Sequence, residues 1–359
     1  MNAPFTNHLG RKLAQRVRQH EFSGAVLVRQ GETDLFQHAY GFANRTWKVK
    51  NRPTTRFRIA SVGKMFTAAA ILQLIEAGKL SLETRVPDYL DLAGTKIPPG
   101  VTVYHLLTMT SGIADWSNEE SETFEADWEQ FCRDWPLYLF RRDADYLPVF
   151  ANLEPYGPVG EKHRYNGAGF MLLGLLIEKI TGQTYFDTLR QRIFAPAGMT
   201  NTDFLDLDDV VPNVADGYIP VLDDDEKITG WKKNYYATTA GPAADGGATS
   251  TLEDLARFAR ALRQGQLVSS ELAKAMTSPQ VVESDDNYLG FQWRYGFGCF
   301  VLLDEAGETV RWGHTGEEEG VSCRLWVYPK QDTTVVILGN QSSCAGQISR
   351  DIQEWVLKL

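Results

Sequence analysis

The sequence predicts an α+β fold: an antiparallel sheet built from both chain ends, flanked by terminal helices, with a mostly helical domain inserted between them. Three observations carry this. Strand-like segments are confined to residues 24–44 and 295–341. The connections within each group are short, which favours antiparallel pairing, because parallel strands need long crossovers. The stretch between is filled with segments of helical period.

The first segment, residues 1–22, has Leu13 and Val17 on one face and reads as an amphipathic helix rather than a leader with an apolar run. "GAVLVRQ" and "DLFQHAYGFAN", separated by "GET", read as a β-hairpin. Near the other end "YGFGCFVLL", "ETVRWGH", "VSCRLWVYP" and "TTVVILGNQ" read as strands, with "DEAG" and "PKQD" as turns. The chain closes on a helix, "GQISRDIQEWVLKL". Between these ends, "SVGKMFTAAAILQLIEAGKL", "TVYHLLTMT", "GAGFMLLGLLIEKITG", "YFDTLRQRIFAPAG", "STLEDLARFARALRQG" and "SSELAKAMTS" are helical in spacing or length. Ser250 with Glu253 has the spacing of a capping box. The expected division is residues 1–80 with 284–359 as the sheet domain and 81–283 as the inserted helical domain. A binding site is expected at their interface.

Composition bounds the function. The chain has 359 residues, 43% apolar and 23% charged, enough to bury a core. Its 46 acidic against 36 basic residues give a formal net charge of −10. That argues against non-specific nucleic-acid binding and against docking on an anionic membrane. No apolar run reaches the roughly 18 residues of a membrane span. Cys132, Cys299, Cys323 and Cys344 lack metal-site spacing and read as reduced thiols of a cytoplasmic protein.

Three constellations carry chemistry. Ser61 and Lys64 open an otherwise apolar helix. Residues i and i+3 are helix neighbours, and a helix N-terminus favours a developing alkoxide. A desolvated lysine beside it can accept a proton. The plain alternative is an N-cap serine followed by a solvated lysine. In "GHTGEEEG", residues 313–320, His314 and Thr315 are candidates to present a ring nitrogen and a hydroxyl to a carbonyl or carboxylate. The alternative there is a hairpin turn with an exposed histidine. Tyr165, just ahead of a helix, is either a packing residue or, near a lysine cation, a general base.

Taken in order, these segments resemble the serine β-lactamase and penicillin-binding-protein-like superfamily, especially its class C β-lactamase, D-alanyl-D-alanine carboxypeptidase and esterase branch. Ser61-Val62-Gly63-Lys64 is similar to its S-x-x-K motif, Tyr165 to the tyrosine of Y-x-N, and His314-Thr315-Gly316 to K/H-T/S-G. "HLLTMTSGI", "PAGMTNTDF" and "STLEDLARF" resemble connecting signatures. The resemblance implies a β-lactamase/transpeptidase-like fold and acyl transfer through Ser61, with Lys64 and Tyr165 sharing the proton work. It implies an oxyanion hole from the backbone N–H groups of Ser61 and Glu317, and no metal or organic cofactor.

Two departures shape the expected substrate. Tyr165-Asn166-Gly167 lacks the final asparagine of Y-x-N, so Asn166 would have to compensate in holding lysine and substrate. Glu317, Glu318 and Glu319 follow His-Thr-Gly, and negative charge there disfavours substrates with a free carboxylate, unless the run is solvated. A neutral histidine in place of lysine weakens carboxylate recognition further. The expectation is a serine hydrolase for a small ester, amide or peptide, carboxylesterase-like. A D-aminopeptidase or a weak β-lactamase or DD-peptidase is the alternative within the class, and a non-catalytic penicillin-binding or sensing protein the alternative outside it. The stretch "DWSNEESETFEADWEQFCRDW" offers Trp116, Trp128 and Trp135 as a pocket roof, although Trp128, Phe131 and Trp135 also fit a core stripe.

Overall fold

The structure, a computed structural model, describes residues 3–118, 121–287 and 290–359. Its centre is an eight-stranded antiparallel sheet. In chain order the strands are β1 (Gly24–Gln30), β2 (Thr33–Tyr40), β3 (Val281–Val282), β4 (Gln292–Tyr295), β5 (Phe300–Leu303), β6 (Thr309–Glu318), β7 (Val321–Tyr328) and β8 (Thr333–Gly339). Across the sheet they run β2-β1-β8-β7-β6-β5-β4-β3. The two chain ends join where β1 pairs with β8, Gly24 opposite Gly339 and Gln30 opposite Thr333.

All seven residues of β8 are buried, and so are Val26, Leu27 and Val28 of β1. Side chains alternate between the faces of a strand, so consecutive buried residues mean that both faces are covered. The cover comes from α1 (Ala3–Arg18), which packs on β2, and from two helices near the other chain end: α4 (Leu252–Arg263), against β1 and β8, and α5 (Gly346–Val356), against β7 and α1. Between these lie α2 (Lys64–Glu76) and α3 (Gly167–Thr181), which pack on each other. Residues 64–72 of α2 are buried on every side, so it is a core helix, which explains why it is apolar all round rather than striped. Among the described residues, no helix is long and apolar enough to cross a membrane.

The structure corrects the sequence reading in four places. "YGFGCFVLL" is not one strand: Tyr295 ends β4, Gly296–Gly298 turn with Gly298 at φ +68°, and Phe300 starts β5. Residues 314–318 are not a turn but the second half of β6, which turns only at Glu319–Gly320. The cap of α4 is Thr251, whose side chain accepts from Asp254 N–H; Ser250 belongs to a short strand pair with Phe57. Strand β3 joins the sheet at Val281–Val282, just before the expected boundary at 284. A hairpin of Tyr218–Leu222 with Ile228–Lys233 has no counterpart in the sequence reading.

Candidate active site

The segment Phe57–Arg58 pairs with Thr249–Ser250, and the Ile59 N–H donates to the Ala248 carbonyl at 2.9 Å. The chain then turns sharply. Ala60 sits at φ +44°, a left-handed conformation that costs a non-glycine residue roughly 1–2 kcal/mol. The Gly247 N–H, donating to the Ala60 carbonyl at 3.3 Å, helps hold it. Strain of this kind persists only where the surroundings over-determine it. It delivers Ser61 into a 3₁₀ turn, Ala60–Gly63, and the α-helix proper begins at Lys64, three residues later than the spacing suggests. Side chains at i and i+3 eclipse in a 3₁₀ turn, so Ser61 and Lys64 still meet.

Lys64 is 1% exposed, and its Nζ donates to Ser61 Oγ at 3.0 Å and to the Asp245 carbonyl at 2.7 Å. It also lies 5.0 Å from the centroid of the Tyr165 ring and 5.8 Å from that of Phe170. A solvated lysine is therefore ruled out by its position. Tyr165 is half-buried, with its ring parallel to Phe300 at 6.5 Å.

Asn166 does not compensate for the missing asparagine. It is the N-cap of α3: its Oδ1 accepts from Gly169 N–H at 2.7 Å and its Nδ2 donates to the Ile113 carbonyl at 3.0 Å. Asp115 completes this helix start, taking the N–H groups of Gly167 and Ala168 at 2.7 and 2.8 Å. The Asn166 oxygen and amide nitrogen are both engaged at the helix start, and the residue is only 4% exposed.

His314 also differs from the sequence reading. It is fully buried, and both ring nitrogens are engaged inside the protein. Nδ1 donates to the Thr315 carbonyl at 2.5 Å, and Nε2 accepts from the Tyr295 hydroxyl at 3.1 Å. Burial, and then the Lys64 cation, push its pKa down to about 3, so the ring is neutral. This histidine orders the strand and presents no nitrogen to a ligand. The depressed value fixes a pH dependence of stability. Between about pH 6.5 and 3 the unfolded chain binds this proton and the folded chain does not, so stability falls as pH falls through that window. Relative to His314→Gln, the wild type is expected to lose about 2 kcal/mol more between pH 7 and pH 5, measured by urea unfolding.

Thr315 is partly exposed on β6. Gly316 packs directly on the Ser61 turn: a Cβ there would run into the Ile59 carbonyl oxygen and come within 3.3 Å of Ala60 Cβ. Strand β5 pairs with β6 no further than Gly313, so residues 314–318 run beside the Ser61 turn without β5 along that edge. Such an edge offers backbone donors and acceptors to an extended ligand.

A cleft of about 370 Å³ opens over Ser61. Its walls include Trp116, Phe124, Trp128 and Tyr146 together with Glu317, Glu318 and Glu319. Trp116 and Trp128 are thus wall residues that also pack on each other and on Phe131, while Trp135 packs on Phe140 instead. Glu119 and Glu120 of the acidic stretch lie outside the described residues. The three glutamates are not simply solvated. Glu317 pairs with Arg324 at 2.6 Å, and Glu318 accepts from Arg58 Nε at 2.7 Å and from Thr238 at 3.0 Å. Glu319 accepts from the Ser342 hydroxyl at 2.8 Å. Two of the three charges are therefore balanced within the protein.

Comparison with known proteins decides the family, because the Beta-lactamase family profile matches residues 9–353, nearly the whole chain. The chain belongs to the beta-lactamase family. Penicillin-binding protein 4* of Bacillus subtilis (strain 168) is 30% identical over 337 residues, covering 90% of this chain and 69% of that protein. D-aminopeptidase of Brucella ovis is 28% identical over 330 residues, covering 90% of this chain but 58% of that protein. Among solved structures, the penicillin binding protein from Bacillus halodurans superposes with a TM-score of 0.83 at 34% identity, over 95% of this chain and 98% of that one. This member of the beta-lactamase family is a serine hydrolase with the fold of its penicillin-binding relatives. Two residues of its cleft escape sequence reasoning. Arg58 precedes the serine motif with only its charge to mark it, and Asp245 lies in a Gly-rich loop, 181 residues from the lysine that it contacts.

Proposed function

We propose that this beta-lactamase-family hydrolase cleaves a small, uncharged ester or amide through an acyl-enzyme on Ser61. The observation that carries the reading is the 3.0 Å contact between the buried Lys64 Nζ and the Oγ of Ser61, which lines the cleft. When the amine is neutral, its lone pair takes the Ser61 proton as Oγ bonds to the substrate carbonyl carbon. The carbonyl π pair moves onto oxygen, where the backbone N–H groups of Ser61 and Glu317 would receive it. Removing one such donor typically costs about 10²–10³ in rate. Collapse of the tetrahedral intermediate breaks the bond to the leaving group, which departs with the proton held by Lys64 and relayed by Tyr165. Water then attacks the ester of Ser61, its proton returns by the same route, and the acid is released.

Several features favour a neutral substrate. The aromatic wall suits an apolar acyl or leaving group, and the neutral His314 supplies no cation for a substrate carboxylate. The Arg58 and Arg324 cations are already paired with Glu318 and Glu317. A panel of p-nitrophenyl esters, D-amino-acid amides and β-lactams tests the reading. Short-chain neutral esters are expected to give the highest kcat/KM, whereas faster turnover of carboxylate-bearing β-lactams would contradict it. A second reading, D-aminopeptidase activity, draws on the Brucella relative and on Glu319, whose charge has no cation within ion-pairing distance among the described residues. It requires Glu319→Gln, at the cleft wall, to lower turnover of free-amine D-amides while sparing neutral esters.

A further inference from the structure

We infer that Asp245 is a positioning residue for acylation, aiming Lys64 at Ser61 and stabilising the cation that Lys64 becomes. The inference rests on the acyl-enzyme reading above and assigns a role to a residue outside the serine-lysine-tyrosine set.

Four observations support it. The Asp245 carbonyl accepts from Lys64 Nζ at 2.7 Å, the shorter of the two hydrogen bonds from that amine. A neutral amine has two N–H bonds and one lone pair, so fixing an N–H on this carbonyl turns the lone pair towards Ser61 Oγ. The Asp245 side chain borders the same cleft as Ser61. Burial raises its carboxyl above the ordinary value, and the strongest opposing effect is attraction to the Lys64 cation. Proton transfer from Ser61 creates that cation, so a carboxylate on the residue whose carbonyl holds Nζ stabilises the charge as it develops.

The fourth observation is the seat of the carboxylate. Asp245 Oδ2 accepts from Trp116 Nε1 at 3.4 Å and lies over Gly167, the first residue of α3. A Cβ at position 167 would stand 2.7 Å from Asp245 Oδ2 and 2.9 Å from Trp116 Nε1. Gly167 is not among the residues with positive φ, so space alone, not backbone conformation, keeps a side chain out. A side chain at 167 would therefore force the Asp245 carboxylate and the Trp116 indole to move.

The test measures the rate of fluorophosphonate labelling of Ser61, and steady-state ester hydrolysis, in Asp245→Asn, Asp245→Ala, Gly167→Ala and the double variant Gly167→Ala/Asp245→Ala. Melting temperature is followed in each. Asp245→Asn and Asp245→Ala are expected to slow labelling and lower kcat at least tenfold, with KM changed less than threefold. Gly167→Ala should reproduce this by displacing the carboxylate, and in the double variant it should add no further loss. A purely structural role would show instead as lowered melting temperature with the labelling rate per folded molecule intact. Wild-type labelling rates in Asp245→Asn, or losses that multiply in the double variant, would overturn the inference. Absence of label on Ser61 in the wild-type protein would instead overturn the acyl-enzyme reading, so the two failures are distinguishable.

Discussion

Ser61→Ala is expected to remove ester turnover by a factor on the order of 10⁴ or more, with the fold intact. In the proposed mechanism the hydroxyl is the nucleophile, and without it Lys64 Nζ keeps its bond to the Asp245 carbonyl. Loss of a half-buried hydroxyl leaves the apolar core untouched, so the melting temperature should hold within about 2 °C, corresponding to the few tenths of a kcal/mol of an ordinary peripheral substitution. Steady-state kinetics on a p-nitrophenyl ester, with a thermal melt on the same preparation, checks both halves. Residual turnover within tenfold of wild type would mean that another group attacks.

The second large effect concerns Lys64. Lys64→Met keeps the length and bulk of the side chain but removes the amine. Loss of a positioned general base typically costs about 10²–10⁴ in rate, and labelling of Ser61 should slow by that factor. Stability should move the other way or not at all. The amine is 1% exposed and sits among Phe170, Tyr165 and the apolar flank of α2. Burial of a charge there costs free energy that its two hydrogen bonds only partly return, whereas a thioether has no such cost. A variant that loses activity while its melting temperature holds or rises identifies a group kept for chemistry rather than for folding. A variant that loses both together would mark Lys64 as a structural residue.

The serine and lysine were legible in the sequence because i,i+3 proximity survives the difference between an α-helix and a 3₁₀ turn. The sheet was legible at both chain ends because hydrophobic runs bounded by turn residues determine strand positions locally. Where the reading failed, the missing information was tertiary. Asn166 carried an ordinary helix-start signal, an Asx residue just before an apolar run, and the structure follows that signal rather than the motif. His314 closes the expected strand 308–314, where an exposed edge or turn is one reading; β6 instead runs on to Glu318 and buries the histidine. Within a strand, successive side chains alternate between faces, and Glu317 and Glu318 then reach different partners, Arg324 on the neighbouring strand and Arg58 ahead of the serine. Asp245 carried no local signal, since its contacts are with Lys64, 181 residues away, and with the bare backbone of Gly167.

The central claim is that Ser61 is the acylated nucleophile. Its most direct measurement is the mass of each peptide after brief reaction of the native protein with a fluorophosphonate, with Lys64→Met as the comparison. The account predicts one adduct, on the peptide carrying Ser61, formed at least a hundredfold faster in the wild type than in Lys64→Met. An adduct on any other residue, or equal rates in the two proteins, would contradict it.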